Sequence, residues 1–154
     1  MSDLSLETAE PSGFGTRPDA TFAVTRGTTR LLREMGLACL TEVPLKTGRR
    51  VDIMALDKKG QTTVVEVKSS LEDYAADSKW GEYLPFCDRF YFAVPTDFPI
   101  DILPEEVGLI IADAYGASIE RTAAEGSMNA SRRKSLTLRF ARLAAERWMR
   151  MVDA

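Results

Sequence analysis

The sequence predicts a single α/β domain in which helices flank a mixed β-sheet. Its 154 residues suit one hydrophobic core. The apolar fraction of 45% and the charged fraction of 28% are those of an ordinary globular protein rather than of a disordered or fibrous chain. Segments with helical spacing and β-rich runs follow one another in the order helix, three strands, helix, strands, helix. We therefore expect one domain over residues 19–154.

The first 18 residues are predicted to be a flexible leader, since prolines and glycines stand there among small polar residues. Residues 1–10 hold three acidic residues and no Lys or Arg, which is the opposite of a secretory signal. The longest apolar runs of the chain are far too short to span a bilayer. These observations lead us to expect a cytoplasmic location and no membrane partner.

The first helix is predicted over residues 21–35, where apolar residues recur at helical spacing. Gly36 is well placed to end this helix in a left-handed conformation. The opposite side of the helix carries a stripe of Arg26, Arg30 and Arg33. Such a stripe is typical of a solvated helix face, and contact with DNA is the alternative interpretation.

The remaining elements follow from periodicity and from the turn residues between them. Strands are predicted at residues 39–45, 51–56, 61–69, 90–94, 108–113 and 117–121, and helices at residues 71–83 and 131–152. The final helix is apolar at Leu136, Phe140, Leu143, Ala144, Trp148 and Met151. Together with the first helix, these elements give a sheet with helices packed against it.

The residue types present limit the chemistry that the chain can perform. It contains no His, which excludes an imidazole base, a Ser-His or Cys-His pair and His-ligated zinc. Its only cysteines, Cys39 and Cys87, lie in apolar or strand-like stretches, where buried reduced thiols are expected. Any catalysis must therefore use carboxylates, Lys, Ser or a hard metal ion.

The turn at residues 57–60, DKKG, has Asp where a type I turn favours it and Gly where a positive φ is needed. It predicts a hairpin with a three-residue loop, in which Met54 pairs with Val64 and Asp52 with Glu66. A two-residue turn would instead place Asp52 and Glu66 on opposite faces. With the first register, side-chain alternation predicts an apolar face of Val51, Ile53, Ala55, Thr63, Val65 and Val67, opposite a face with Asp52, Glu66 and Lys68.

Two carboxylates that face each other on a partly buried sheet repel, so Asp52 and Glu66 require a neutralising partner. Mg²⁺ or Mn²⁺ suits this role, since a hard divalent cation takes carboxylate and carbonyl oxygens and keeps waters for chemistry. The carbonyl of Val67 or of Lys68 is a further candidate ligand. Lys68 is also a candidate to orient or deprotonate an attacking water. The alternative is an ordinary exposed strand in which Glu66 and Lys68 form an ion pair.

Four runs of sequence resemble a known family. GRRVDIMAL at residues 48–56 and VVEVKSS at residues 64–70 resemble the core of the PD-(D/E)XK nuclease superfamily. DSKWGEY at residues 77–83 and CDRFYFAV at residues 87–94 resemble the MmcB-like DNA repair family in particular. The resemblance covers approximately residues 20–150.

The resemblance implies a restriction-endonuclease-like fold, a role in bacterial DNA repair and metal-dependent nuclease chemistry. It assigns Asp52, Glu66 and Lys68 to the metal and catalytic positions, and it gives Glu42 and Lys79 accessory positions. Val51 stands where the superfamily's name has Pro, which leaves the carboxylates intact. A solvent-facing strand residue and an exposed helix Lys are the alternatives for the two accessory residues.

DNA, branched or damaged, is the partner that these observations predict, together with a homodimer or other repair proteins as further partners. Residues 131–154 hold seven basic and two acidic residues, so this tail is +5 while the first 130 residues are −8. The candidate DNA-binding residues are Arg26, Arg30, Arg33, Arg49, Arg50, Arg132 and Arg133. A DNA-binding or adaptor module that does not cut is the competing function, and a purely structural domain ranks below both.

Overall fold

The computed structural model describes residues 17–77 and 79–154. Its elements in chain order are α1 (Arg17–Glu34), β1 (Ala38–Pro44), β2 (Arg50–Leu56), β3 (Thr62–Val67), α2 (Leu71–Ala76), a 3₁₀ helix (Trp80–Phe86), β4 (Arg89–Val94), a 3₁₀ turn (Ile100–Ile102), β5 (Gly108–Ala112), β6 (Ala117–Arg121) and α3 (Ala130–Val152). The predicted leader at residues 1–18 lies almost wholly outside this description, and α1 begins inside its last two residues.

All six strands form one sheet in the order β1-β2-β3-β4-β5-β6. The pairs β1–β2, β2–β3 and β5–β6 are antiparallel, whereas β3–β4 and β4–β5 are parallel. A parallel pair needs a crossover, and α2 with the 3₁₀ helix supplies it between β3 and β4. The predicted α/β fold with a mixed sheet flanked by helices is thus confirmed.

The hairpin between β2 and β3 has the predicted register. Met54 pairs with Val64, and the backbone N–H of Asp57 donates to the carbonyl of Gln61. Gly60 has a φ of 81°, the left-handed conformation that glycine adopts without strain. The loop therefore has three residues, and the two-residue alternative is excluded.

Both faces of this sheet are buried, contrary to the prediction of one apolar and one polar face. α1 covers a cluster that includes Ile53, and the 3₁₀ helix and α3 cover a second cluster on the other face. Met54 and Val64 are fully buried in the second cluster, on the carboxylate side. Val51 packs in this second cluster as well, and not with Ile53 as side-chain alternation had predicted. The β1–β2 pairing is interrupted between these two residues, at Glu42, which has a φ of 51°.

The helix predicted over residues 71–83 is wrong in its extent. α2 ends at Ala76, and the chain resumes as a 3₁₀ helix at Trp80. Asp77 is extended, and its carboxylate accepts from the backbone N–H of Lys79 and from the side chain of Lys68. A short polar side chain that binds nearby groups in this way competes with helix continuation.

α3 packs on the sheet with only part of its predicted apolar face. Leu136 and Phe140 are buried, but Trp148 is 64% exposed and Met151 is 75% exposed. The helix contacts β1, the edge strand, and the 3₁₀ helix. An edge strand offers little surface, which leaves the second half of the helix uncovered. In the described part of the chain, no helix combines the length and the hydropathy that crossing a membrane requires.

Candidate active site

Asp52 and Glu66 meet where the β2–β3 ladder opens. The ladder pairs extend as far as Ile53 and Val65. Beyond them, the backbone N–H of Asp52 donates to Oε1 of Glu66 at 3.0 Å, and the N–H of Val67 donates to Oδ2 of Asp52 at 2.8 Å. Each carboxyl thus takes a hydrogen bond from a strand backbone group. The structure brings the two predicted carboxyls together on one face of the hairpin.

The N–H of Asp52 is available for Glu66 because β1 is irregular at the opposite position. Strand alternation directs this N–H toward Glu42 of β1, where an ordinary antiparallel ladder would use it. Glu42 instead has a φ of 51°, and its carbonyl accepts from Nη2 of Arg147 at 2.7 Å. Arg147 also donates to the carbonyl of Thr41. α3 therefore holds the irregularity that lets the carboxyl pair form.

Burial and mutual repulsion both disfavour the ionised forms of the two carboxyls. Burial, reinforced by the nearby charge of Asp52, raises the pKa of Glu66 to about 9. Burial also raises the pKa of Asp52, against the opposing effects of its bond from Val67 and of the Lys68 charge. At neutral pH the pair consequently retains a proton. A cation placed between the two carboxyls would displace that proton.

Lys68 lies at the end of β3 with its ammonium buried beside the pair. Its Nζ contacts Oδ2 of Asp77 at 2.8 Å, and its backbone N–H donates to the carbonyl of Ala93. Burial is the largest single influence on the pKa of Asp77 and acts to raise it, but the hydrogen bonds from Lys68 and Lys79 and the nearby positive charges together outweigh it, so the pKa is lowered. An ammonium bonded to a carboxylate is a donor and a fixed positive charge. Asp77 thus sets the direction in which Lys68 points.

Sequence reasoning assigned no role to Asp77 or Asp73 and interpreted Tyr83 as a helix-packing residue, yet all three lie around the pair. Asp73 raises the pKa of Asp52 by its negative charge, although burial is the main cause, and its carboxylate accepts from the N–H of Ser69 at 3.0 Å. Tyr83 is buried, and its hydroxyl donates to the carbonyl of Arg50 at 3.3 Å. Asp77 opens and Tyr83 closes the DSKWGEY run, so the only available signal was their place in that motif.

The two predicted accessory residues stand apart from the carboxyl pair. The Glu42 side chain is exposed, and its carboxylate lies 3.8 Å from Nη2 of Arg50. Lys79 is exposed at the start of the 3₁₀ helix, and its backbone N–H donates to Asp77. Neither side chain makes contact with Asp52 or Glu66. The alternatives of a surface strand residue and an exposed Lys describe these two positions better.

Arg133, predicted to bind nucleic acid, has a structural partner instead. Its guanidinium donates to both oxygens of Asp88, at 2.6 and 2.7 Å, and to the carbonyl of Gly60 at 2.9 Å. Asp88 also accepts from the N–H of Thr62 at 2.7 Å. This bidentate contact ties α3 to the start of β3, so we assign Arg133 a structural role.

The other predicted DNA-binding arginines fall into two groups. Arg26 and Arg33 of α1 are exposed, and Arg30 donates to the carbonyl of Tyr115 at 3.2 Å. On the opposite face of the sheet, the remaining three contact neighbouring side chains: Arg49 pairs with Glu82, Arg50 with Glu42, and Arg132 lies over the ring of Phe86. One straight duplex cannot follow both faces, so the two groups cannot form one continuous binding surface.

The carboxyl pair fits a divalent cation in its donor chemistry. The pKa of Asp52 and the pKa of Glu66 are both raised despite the nearby Lys68 charge, and the backbone carbonyls of Val67 and Lys68 follow directly after Glu66 in the chain. Within residues 17–77 and 79–154, no three metal-binding side chains cluster closely enough to hold an ion. The ligand set would therefore consist of two carboxylates, a backbone carbonyl and waters, a set that Mg²⁺ accepts.

Comparison with known proteins identifies the family. The family model of DNA repair protein MmcB-like matches residues 8–154. The chain belongs to the MmcB-like DNA repair family. Among solved structures, it is similar to the SPO1766 protein of unknown function from Silicibacter pomeroyi, with 45% identity, a TM-score of 0.83, and coverage of 87% of this chain and 92% of the other. No curated protein matches the chain.

Proposed function

We propose that this DNA repair protein hydrolyses DNA phosphodiester bonds with the help of a divalent metal ion. The observation that carries the proposal is the pair of half-buried Asp52 and buried Glu66, which lies at the open end of a hairpin with Lys68 beside it. A structural domain gains nothing from two carboxyls that repel each other when both are ionised. A metal-dependent phosphodiesterase needs such a pair.

In this proposal Asp52, Glu66 and the carbonyl of Val67 hold Mg²⁺ or Mn²⁺. A bound divalent ion supplies a water of lowered pKa and counters charge on the scissile phosphate. Lys68 orients the attacking water and donates to a phosphate oxygen, since its ammonium is fixed by Asp77 and does not ligate metal. Asp77 is a positioning residue, because it acts through Lys68.

DNA would approach the face that carries the pair. Arg49 directly precedes β2 and Arg50 begins it, two residues before Asp52, and Arg132 of α3 lies on the same face of the sheet. Their partners, Glu82, Glu42 and the Phe86 ring, are surface contacts that phosphates can replace. The stripe on α1 lies on the other face, and we propose that it faces solvent.

A panel of end-labelled duplex, single-stranded and branched DNA tests the proposal with Mg²⁺, Mn²⁺ or EDTA. We expect wild-type protein to cut at least one substrate with metal and none with EDTA, and Asp52→Asn to abolish cutting. Asp101→Asn, at an exposed residue of the 3₁₀ turn, is the matched control and should cut like wild type. Cleavage that survives in Asp52→Asn would show a contaminant or another site.

The second candidate is a DNA-binding module that does not cut. It is favoured by one observation, namely that among the described residues only two carboxyls meet and that each already accepts a backbone N–H. If wild-type protein binds one of these DNAs tightly but cuts none with either metal, this second function replaces the first.

A further inference from the structure

α3 is apolar on two opposite sides. Its inner side packs on the domain through Leu136, Phe140 and Leu143. Successive residues of a helix are rotated by about 100°, so a second group of apolar residues points the other way. Every member of this second group is exposed, and we call the group the outer seam: Leu138, Ala141, Ala145, Trp148 and Val152.

The outer seam has the spacing of a coiled-coil contact. Its steps along the chain are three, four, three and four residues, which is the repeat of 3.5 residues that keeps a seam facing a partner helix. A helix that packs only on its own domain needs a single apolar stripe. A Trp that is largely exposed on the second stripe loses the benefit of burial. The pattern therefore points to a second helix that covers the seam.

We propose that the outer seam is covered by the same seam of a second copy of this chain, in an antiparallel helix pair. Seam residues alternate between two positions of the repeat, one followed by a step of three residues and one followed by a step of four. In an antiparallel pair each residue faces a partner residue of the other position. With a two-fold axis between Ala145 and Trp148, each Trp148 lies over the partner's Ala145. Each Val152 likewise lies over the partner's Ala141. Every such layer joins one large and one small side chain, so the seam is complementary to itself.

The parallel arrangement lacks this complementarity. It would place Trp148 against the partner's Trp148 and Ala145 against the partner's Ala145, which alternates crowded and empty layers. It would also bring Lys134, which continues the seam seven residues before Ala141, against the partner's Lys134. Like charges in contact oppose such a pairing. In the antiparallel arrangement the two lysines lie at opposite ends of the pair, and the partner's Met149 lies beside Arg142.

The dimer should be weak and reversible. In this register the two seams overlap from Ala141 to Val152, about 17 Å of helix at 1.5 Å per residue, and Leu138 lies beyond the end of the partner helix. Two helix segments of this length bury less surface than the interfaces of stable complexes, so we expect a dissociation constant of roughly micromolar order. Association should thus appear when the protein concentration is raised through that range.

A swap of the large and small residues tests the pairing by sedimentation equilibrium. Ala145→Trp should place two indoles in one layer, and Trp148→Ala should leave two small side chains, so each single change should weaken the dimer about 10-fold or more. The double variant Ala145→Trp/Trp148→Ala restores one large and one small residue per layer. We expect its dissociation constant to return to within about three-fold of wild type.

Two controls accompany the swap. Glu146→Trp adds an indole at an exposed position beside the seam and should leave the dimer unchanged. Trp fluorescence should shift to the blue as wild type is concentrated, but not in Trp148→Ala, which retains only Trp80. A monomeric wild type at high micromolar concentration overturns the proposal, and so does a dimer that both single changes leave intact or that the double change fails to restore. Failure here leaves the proposed nuclease untouched, since each test has its own readout.

Discussion

Glu66 and Asp88 are buried carboxyls, 5% and 4% exposed, that lie near opposite ends of β3. Glu66 belongs to β3, whereas Asp88 precedes β4 and contacts Thr62 at the start of β3. Their surroundings shift their pKa values in opposite directions. Asp88 faces Arg133, whose hydrogen bonds lower its pKa, and it also accepts from the N–H of Thr62. Glu66 faces Asp52, and burial with that like charge raises its pKa to about 9. Asp88, near one end of the strand, is neutralised by an arginine, whereas Glu66, near the other end, is buried beside a second carboxyl. Burial alone therefore does not distinguish these two carboxyls; what distinguishes Glu66 from Asp88 is its acidic partner, Asp52.

The largest expected effect is on cleavage, and it separates Lys68 from ordinary lysines. Lys68→Ala should lower the rate of cutting by about 10²-fold or more, the usual scale for loss of one positioned donor to the transition state, while DNA and metal binding stay within a few-fold of wild type. Lys58→Ala, in the exposed hairpin loop, is the matched control. Single-turnover cleavage and filter binding measure the two quantities. If Lys68→Ala lowers DNA binding and cleavage equally, Lys68 only contacts a phosphate and has no role in the chemistry.

Next comes stability, in which the two ends of β3 should respond in opposite senses. Asp88→Ala removes the partner of Arg133 and of the Thr62 N–H, which should cost about 2–3 kcal/mol. Asp52→Asn removes one of two repelling groups, so the metal-free protein should be as stable as wild type or more stable. Urea unfolding in EDTA compares them. A large loss of stability in Asp52→Asn would mean that the carboxyl pair is a structural feature like Asp88.

The dependence of stability on pH should also have opposite signs at the two ends. The pKa of Glu66 is raised, so the folded state binds a proton more tightly than the unfolded chain, and stability should fall as pH rises from about 4.5 to about 9. The pKa of Asp88 is lowered, so its contribution is lost as pH falls below about 4. Glu66→Gln should reduce the pH dependence of stability only between about pH 4.5 and 9, and Asp88→Ala only below about pH 4. The measurement is the free energy of unfolding in EDTA at a series of pH values. The same pH dependence in wild type and both variants would contradict this prediction.

The smallest effect expected is on the salt dependence of DNA binding. Arg50→Gln, two residues before Asp52, should lower the slope of log K against log salt by roughly 0.9, the value for one phosphate contact on duplex DNA. Arg150→Gln, exposed near the end of α3, should leave the slope unchanged. Equal slopes in both variants and wild type would place DNA elsewhere on the surface.

The hairpin was predictable because its determinants are local. Asp57 and Gly60 select the loop, the loop sets the register, and the register brings Asp52 to Glu66. The partner of Lys68 was not predictable in this way. Asp77 reaches Lys68 only because α2 ends early, and the helical pattern of residues 71–83 concealed that break.

Charge and hydropathy along α3 were ambiguous for a similar reason. Arg133 and Arg132 are adjacent and look alike in sequence, yet only Arg133 meets a buried carboxylate. The spacing of Trp148 and Met151 identified them as apolar helix residues but could not say whether this domain or another chain covers them. Such distinctions depend on which elements pack together, and no short-range pattern encodes that.

The most direct test of the central claim is the metal-induced change in melting temperature. Mg²⁺ or Mn²⁺ should raise the melting temperature of wild-type protein, because a ligand that binds the native state stabilises it by mass action. Asp52→Asn and Glu66→Gln should lose this response, while Asp101→Asn should keep it. An equal shift in wild type and in both pair variants, or no shift in wild type at millimolar metal, would contradict the claim that this pair is a divalent metal site.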